Sequence, residues 1–223
     1  HKGSYMDLNQ NVNENVDTGT LRIHLTNESN GTPVQGAKIS ISYTGNPSQT
    51  IEEVSADDSG NSEELTLNAP PLEYSMEPSE EQPYAEYTIR VQAPGYRDIT
   101  VSAINVLPGE TAIQNVRMEA EDAPGDRIDM VVIAAHTLYA EYPPKIPEDE
   151  IKPMNESGEI VLSRVVIPEY IVVHDGAPGD TTASDYYIRY RDYIKNVASS
   201  EIYATWPDAA IRANVLAIMS FTL

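Results

Sequence analysis

Chemistry in this chain concentrates in its last forty residues. Glu201 interrupts an otherwise apolar run, with Ser199 and Ser200 before it and Ile202, Tyr203 and Trp206 after it. A lone carboxyl in such surroundings has no evident structural reward, whereas a carboxyl that gives and takes protons is a standard catalytic group. Asp192 and Asp208 are the other carboxylates of the stretch, and Asp208 is better explained as a helix cap. Other chemistries have less to stand on. There is no cysteine, which excludes thiolate nucleophiles, thiolate zinc sites and iron–sulfur clusters. His24, His136 and His174 share no ligand spacing, and the HExxH, P-loop and GxGxxG patterns are missing, so neither metal nor cofactor is expected. A serine hydrolase built on His174 lacks the strained elbow motif that such a nucleophile needs.

The elements that must carry Glu201 are helical. Asp192 to Ala198 has helical spacing, and Thr205-Trp206-Pro207-Asp208 reads as a capping box of Thr205 with Asp208. Ala209 to Leu223 is apolar nearly all round, with Ile211, Val215 and Ile218 on one face and Leu216, Met219 and Leu223 on the next. Such a helix is expected to be buried in a core. It shows no stop signal, neither Gly nor a basic last turn, so the domain is expected to continue past Leu223.

Upstream the periodicity is that of strands. Leu21, Ile23 and Leu25 alternate with Arg22, His24 and Thr26, and Ile39, Ile41 and Tyr43 with Lys38, Ser40 and Ser42. Leu65–Leu67, Tyr87–Val91, Ile99–Val101 and Ile113–Met118 follow the same rule, giving about seven strands with one buried and one wet face. Turn chemistry closes them at Asn30–Pro33, Asp57–Asn61, Ala93–Tyr96 and Leu107–Glu110. Short strands at this spacing make a sandwich. His24, Tyr84, Tyr87 and Tyr96 read as strand-face packing or turn support.

The expected division is therefore a leader at 1–18, with His1–Met6 reading as a tag remnant; a β-sandwich at 19–120; a connector at 121–159; and an α+β domain at 160–223, cut short at its C-terminus. The connector contains one apolar strand, Met130–Ala135, and then Pro143, Pro144, Pro147 and Pro153. Ile160–Leu162, Val165–Ile167 and Tyr170–Val173 are further strand candidates. Acidic side chains outnumber basic ones 35 to 14, a net charge of −21. The excess lies up to residue 160, with 28 acidic against 9 basic residues, while residues 161–223 hold 7 against 5. A polyanion would be repelled, so nucleic acid is excluded as a partner. No apolar run reaches the roughly 18 to 20 residues needed to span a bilayer.

Two stretches resemble known families. The order G-x-P-V-x-G-A-x-I-x-I at Gly31–Ile41, D-x-x-G at Asp57–Gly60 and Y-x-I-x-V-x-A-P-G-Y at Tyr87–Tyr96 resembles the transthyretin-like, or carboxypeptidase-regulatory-like, sandwich. That module accompanies many envelope proteins and commonly has no chemistry of its own. The stretch Tyr193 to Asn214 resembles the signature of the stage II sporulation protein D and LytB family of peptidoglycan lytic enzymes, roughly Y-[LI]-K-x-V-x-x-x-E-[MI]-x-x-x-W-P-x-x-A-[LI]-[KR]-A-[QN]. Together the two resemble the clostridial spore cortex-lytic branch of that family. The departures are Tyr203, where many members have Pro, and Asn214, where many have Gln.

The resemblance implies a lytic transglycosylase that cleaves the β-1,4 bond between N-acetylmuramic acid and N-acetylglucosamine and leaves a 1,6-anhydro end. It places the catalytic acid on Glu201. A protonated carboxyl held in a partly apolar pocket of Ile202, Tyr203 and Trp206 would donate to the glycosidic oxygen. Because the sugar's own C6 hydroxyl attacks, one carboxyl serves where hydrolysis needs two. Arg212 would orient the acid or contact substrate, although an ion pair with Asp208 one turn earlier accounts for it equally. Trp206 would stack on a sugar ring or plug the helix start, and Lys195 and Tyr193 match the signature as support or scaffold. The implied partners are peptidoglycan strands and an activating protease, in the bacterial envelope or the spore cortex and coat. The alternative is a noncatalytic envelope protein whose second domain keeps the fold without the activity.

Overall fold

In the computed structural model the described residues are 16–77, 80–136, 138–139, 167–177 and 179–222. The proline-rich connector at 141–157 and the strand candidates at 160–162 and 165–166 lie outside them. The chain forms two compact units that divide between Ala135 and His136.

The first unit is a β-sandwich. Its smaller sheet has the order β4-β1-β7, built from β1 (Asp17–Asn27), β4 (Leu65–Ala69) and β7 (Thr111–Met118). Its larger sheet has the order β3-β2-β5-β6-β8, from β2 (Lys38–Tyr43), β3 (Thr50–Ser55), β5 (Ala85–Gln92), β6 (Ile99–Val106) and β8 (Met130–Val132). β1 runs antiparallel to β4 and parallel to β7. A single turn of helix, α1 (Glu73–Met76), lies between β4 and β5.

The alternation read in the sequence decides which side chains go inward. Leu21, Ile23 and Leu25 of β1 meet Ile39 and Ile41 of β2, Ile89 and Val91 of β5 and Val116 and Met118 of β7 in one core, all essentially inaccessible. Burial of this apolar face is the main stabilising term. Tyr84 is buried, the Tyr96 hydroxyl accepts from the Asn27 amide at 3.2 Å, and His24 pairs through Nδ1 with Asn61 Oδ1 at 2.9 Å. Tyr87 joins the two sheets. It is fully buried, lies against the Tyr43 ring at 5.1 Å, and donates its hydroxyl across the sandwich to the Asn68 carbonyl on β4 at 2.7 Å. Burial holds the phenol far above its ordinary titration range. Tyr87→Phe is expected to cost about 1 kcal/mol, since it removes this part-buried hydrogen bond between the sheets. Urea unfolding checks this; an unchanged midpoint would rule out the clasp.

Two features of this unit depart from the sequence reading. β3 escaped it because Glu52 and Glu53 break the alternation. The strand is an edge, where only Val54 needs to be buried. The break expected near Glu121 falls instead at Ala135, because Met130–Val132 pairs in parallel with Thr100–Ser102 of β6 and so belongs to the sandwich. Its three side chains are exposed, as an added edge strand allows.

The second unit contains an antiparallel pair, β9 (Tyr170–His174) and β10 (Asp185–Arg189), then α2 (Tyr190–Glu201) and α3 (Asp208–Thr222). β10 was not legible, since Asp185-Tyr186-Tyr187-Ile188-Arg189 has no clean alternation. α2 is longer than the Asp192–Ala198 expected and continues through both serines to Glu201. The hydroxyls of Ser199 and Ser200 donate to the carbonyls of Asn196 and Val197, a local bond that lets serine sit in a helix. Backbone hydrogen bonds shape the entry to α3. Trp206 N–H donates to the Tyr203 carbonyl, so Thr205 lies inside a turn, and Pro207 supplies the carbonyl that Ala210 and Ile211 bind at the start of α3. The expectation of a core helix also fails: within α3 Ile218 is buried, whereas Leu216 and Phe221 are 65% and 58% exposed. Tyr190 at the start of α2 is buried, and its hydroxyl meets Thr222 Oγ1 at the end of α3 at 2.7 Å, pinning the antiparallel helices together.

Candidate functional site

Glu201 is the last residue of α2, and its side chain is exposed. At Ile202 the backbone turns to extended geometry (φ −137°, ψ 156°), and its N–H still donates to the Ala198 carbonyl. Beyond that turn Tyr203 faces inward. Tyr203 is buried, its ring 4.3 Å from that of His136 and edge-on to Trp206 at 6.1 Å. Burial raises the Tyr203 phenol above its ordinary value. The apolar pocket expected around Glu201 is therefore a packing cluster of Tyr203, Trp206 and His136.

What meets Glu201 is Asn214, from the second turn of α3. Its Nδ2 donates to Glu201 Oε2 at 3.0 Å, a contact that the antiparallel return of the chain creates between residues thirteen apart. Asn214 Oδ1 points inward and is buried with no hydrogen-bond partner. Among the described residues Glu201 takes part in no salt bridge. The sequence pointed at Asn214 only as a departure from the signature. Its helical phase with Ile211 and Ile218 was the signal that it faces α2.

The remaining candidates lie elsewhere on the hairpin. Arg212 is two residues before Asn214, about 200° around the helix. It is exposed, and no ion pair joins it to Asp208 among the described residues. Lys195 is six residues before Glu201, about 9 Å along α2 and some 120° around it, and is exposed; Tyr193 is a further 3 Å back and half-buried. Trp206 is half-buried against Tyr203 rather than open on both faces.

Two histidines are accounted for. His136 is buried, its Nδ1 accepts from the Leu138 N–H at 3.2 Å and its Nε2 meets the Ile202 carbonyl at 3.1 Å, so Nε2 carries the proton of a neutral ring. Burial pushes its pKa below the usual 6.5, against the opposing backbone carbonyls of Ile202 and Ser199. The unfolded chain thus binds a proton that the folded one resists. Stability from this group is complete above about pH 6.5 and is lost as pH falls through the lowered folded value. Thermal melts from pH 8 to 5 are expected to fall more steeply for the native chain than for His136→Gln. Parallel curves would remove His136 from the account. His174 is exposed and its ring nitrogens meet Asp185 Oδ1 at 2.8 Å and the Ala177 carbonyl at 3.1 Å. Two acceptors call for imidazolium, and its pKa is raised, chiefly by Asp185. No ring nitrogen is left for a serine nucleophile.

The sandwich carries a groove of its own, about 180 Å³, lined by Arg97, Ile99, Gln114, Val116, Glu119 and Val131 among others. Arg97 is taken up by structure: it pairs with Glu119 at 2.8 Å and donates to the Ala123 carbonyl at 2.6 Å. The described residues contain no cluster of three or more metal-ligating side chains, and no helix long and apolar enough to cross a membrane.

No protein-family model matches the chain, and no curated protein does. Among solved structures, the chain is similar to the Bacillus anthracis TIE protein at 23% identity over 47% of this chain and 17% of that one, with a TM-score of 0.32. It is also similar to GBS52, the minor pilin of the gram-positive pathogen Streptococcus agalactiae, at 13% identity over 50% and 48% of the two chains, TM-score 0.33. Catechol 1,2-dioxygenase from Acinetobacter sp. ADP1 follows at 12% identity over 55% and 60%, TM-score 0.34. The chain thus spans less than two thirds of the length of each of these structures.

Proposed function

We propose that this chain carries part of a lytic transglycosylase acting on the glycan of bacterial cell wall or spore cortex, with a transthyretin-like sandwich that positions it on the polymer. The observation that supports this reading is the helical hairpin formed by the signature stretch, which holds the lone carboxyl of Glu201 open to solvent on the amide of Asn214. In the proposed reaction Glu201 gives its proton to the glycosidic oxygen as the bond to C1 of the muramic acid breaks. The C6 hydroxyl of the same sugar then bonds to C1, and its proton passes to the Glu201 carboxylate. The acid is regenerated, no water is consumed and no second carboxylate is needed. The partners on this reading are glycan strands and an activating protease, outside the cytoplasm.

Incubation with purified spore cortex and with vegetative peptidoglycan, followed by mass spectrometry for 1,6-anhydromuramoyl ends, tests it. Such ends from either polymer are the expected result, and cortex-only release names the substrate. Intact glycan from both, with a folded protein, overturns the proposal. One observation favours a second reading, a noncatalytic envelope protein. Glu201 is exposed, and its aromatic neighbours pack on one another instead of enclosing it. Binding to the same polymers without cleavage is the outcome that reading requires.

A further inference from the structure

We propose that Asn214 is a positioning residue for the Glu201 carboxyl, one that holds it in both of its protonation states by turning its side-chain amide over. This rests on the catalytic reading of Glu201, but it has a test of its own. An acid/base group must keep its place while it is an acid and again while it is a carboxylate. A lysine beside it, which only donates, would suit the carboxylate better than the acid. A primary amide carries a donor and an acceptor on one carbon and exchanges them by a half-turn about Cβ–Cγ.

The observed arrangement is the half of that cycle that a carboxylate requires. Nδ2 donates to Glu201 Oε2 at 3.0 Å, while Oδ1 is turned inward, buried and unsatisfied. A buried acceptor without a donor is costly, and its presence calls for an explanation. Turning the amide over gives that oxygen a donor: Oδ1 comes round to accept the hydroxyl proton of the un-ionised Glu201. The contact then survives proton transfer in either direction. No charged side chain among the described residues competes for it, since Glu201 makes no salt bridge and Arg212 lies on another face of α3. The thirteen-residue separation also means that the contact reports the closed hairpin, so the carboxyl is placed only when α2 and α3 are together.

Two measurements on the whole chain decide this. In the first, the side-chain amide resonances of Asn214 and the carboxyl carbon of Glu201 are followed by NMR across pH 3 to 8. Asn214 is expected to shift in step with Glu201 and to become pH-independent in Glu201→Gln. A titrating Glu201 beside an unmoved Asn214 overturns the proposal, whether or not the protein cleaves glycan. In the second, anhydro-end release by Asn214→Leu is expected to fall by about ten- to a hundredfold in kcat with KM little changed. Asn214→Gln, which keeps the amide, is expected to restore most of that loss. Asn214→Leu with native kcat and an unchanged pH–rate profile also overturns it. An inactive native chain whose Asn214 still follows Glu201 overturns the transglycosylase reading and leaves the amide coupling standing.

Discussion

Glu201→Gln is expected to abolish release of 1,6-anhydromuramoyl ends from cortex or wall glycan while leaving the fold intact. Gln keeps the length and shape of Glu and can still accept the Asn214 N–H through its carbonyl oxygen, so the one contact seen at this position survives. The side chain is exposed at the end of α2, where substitutions away from special features change stability by less than about 1 kcal/mol. What the variant lacks is a proton to give. A sugar oxygen leaves badly unless it is protonated, and a positioned acid contributes typically two to four orders of magnitude to such a step. The expected pattern is therefore an unchanged melting temperature, unchanged sedimentation of the protein with insoluble glycan, and no anhydro product. Native turnover in the variant would remove Glu201 as the acid. Loss of both product and melting temperature would mean that the residue was structural.

The contrast between the two ends of the chain shows what a sequence can express. In the sandwich, period-two alternation is enforced by one buried face, so β1, β2, β5 and β7 were legible to within a few residues. The strands that escaped, β3 and β10, are exposed ones whose side chains answer to solvent and not to a core. α3 misled in the opposite sense: apolar residues all round imply burial only when other elements are present to cover them. Around Glu201 the residue types were legible but not their directions. Closeness in sequence to Glu201 suggests that Tyr203 and Trp206 wall a pocket around it. Beyond the extended backbone at Ile202, Tyr203 lies on His136, sixty-six residues before Ile202, and Trp206 packs on Tyr203, an arrangement that no local spacing encodes. The role of Asn214 is hidden for the same reason, since its partner becomes a neighbour only when the hairpin closes.

The sandwich makes a sharper prediction at Gly60, the last residue of the D-x-x-G turn. Gly60 sits at φ +76°, where an L side chain costs about 1 to 2 kcal/mol. Position adds a second penalty. A Cβ built there would fall 2.4 Å from the Leu25 carbonyl oxygen and 3.2 Å from the Val34 nitrogen, both main-chain atoms that cannot rotate away. They are also bonded to one another, Val34 N–H donating to the Leu25 carbonyl at 3.1 Å, while Leu25 N–H donates to the Gly60 carbonyl at 2.8 Å. Relieving the clash thus means moving the last part of β1, whose Leu25 is fully buried in the core, at a cost of about 1 to 3 kcal/mol. Gly60→Ala is expected to lose about 2 to 5 kcal/mol in urea unfolding of the sandwich. Gly95 separates the two terms: at φ +80° it has the same backbone strain, but nothing lies within 4 Å of the added carbon. Gly95→Ala should lose only about 1 to 2 kcal/mol. Equal losses at the two sites would mean that β1 yields freely to the turn beneath it, and that the D-x-x-G glycine is required for its backbone angle alone.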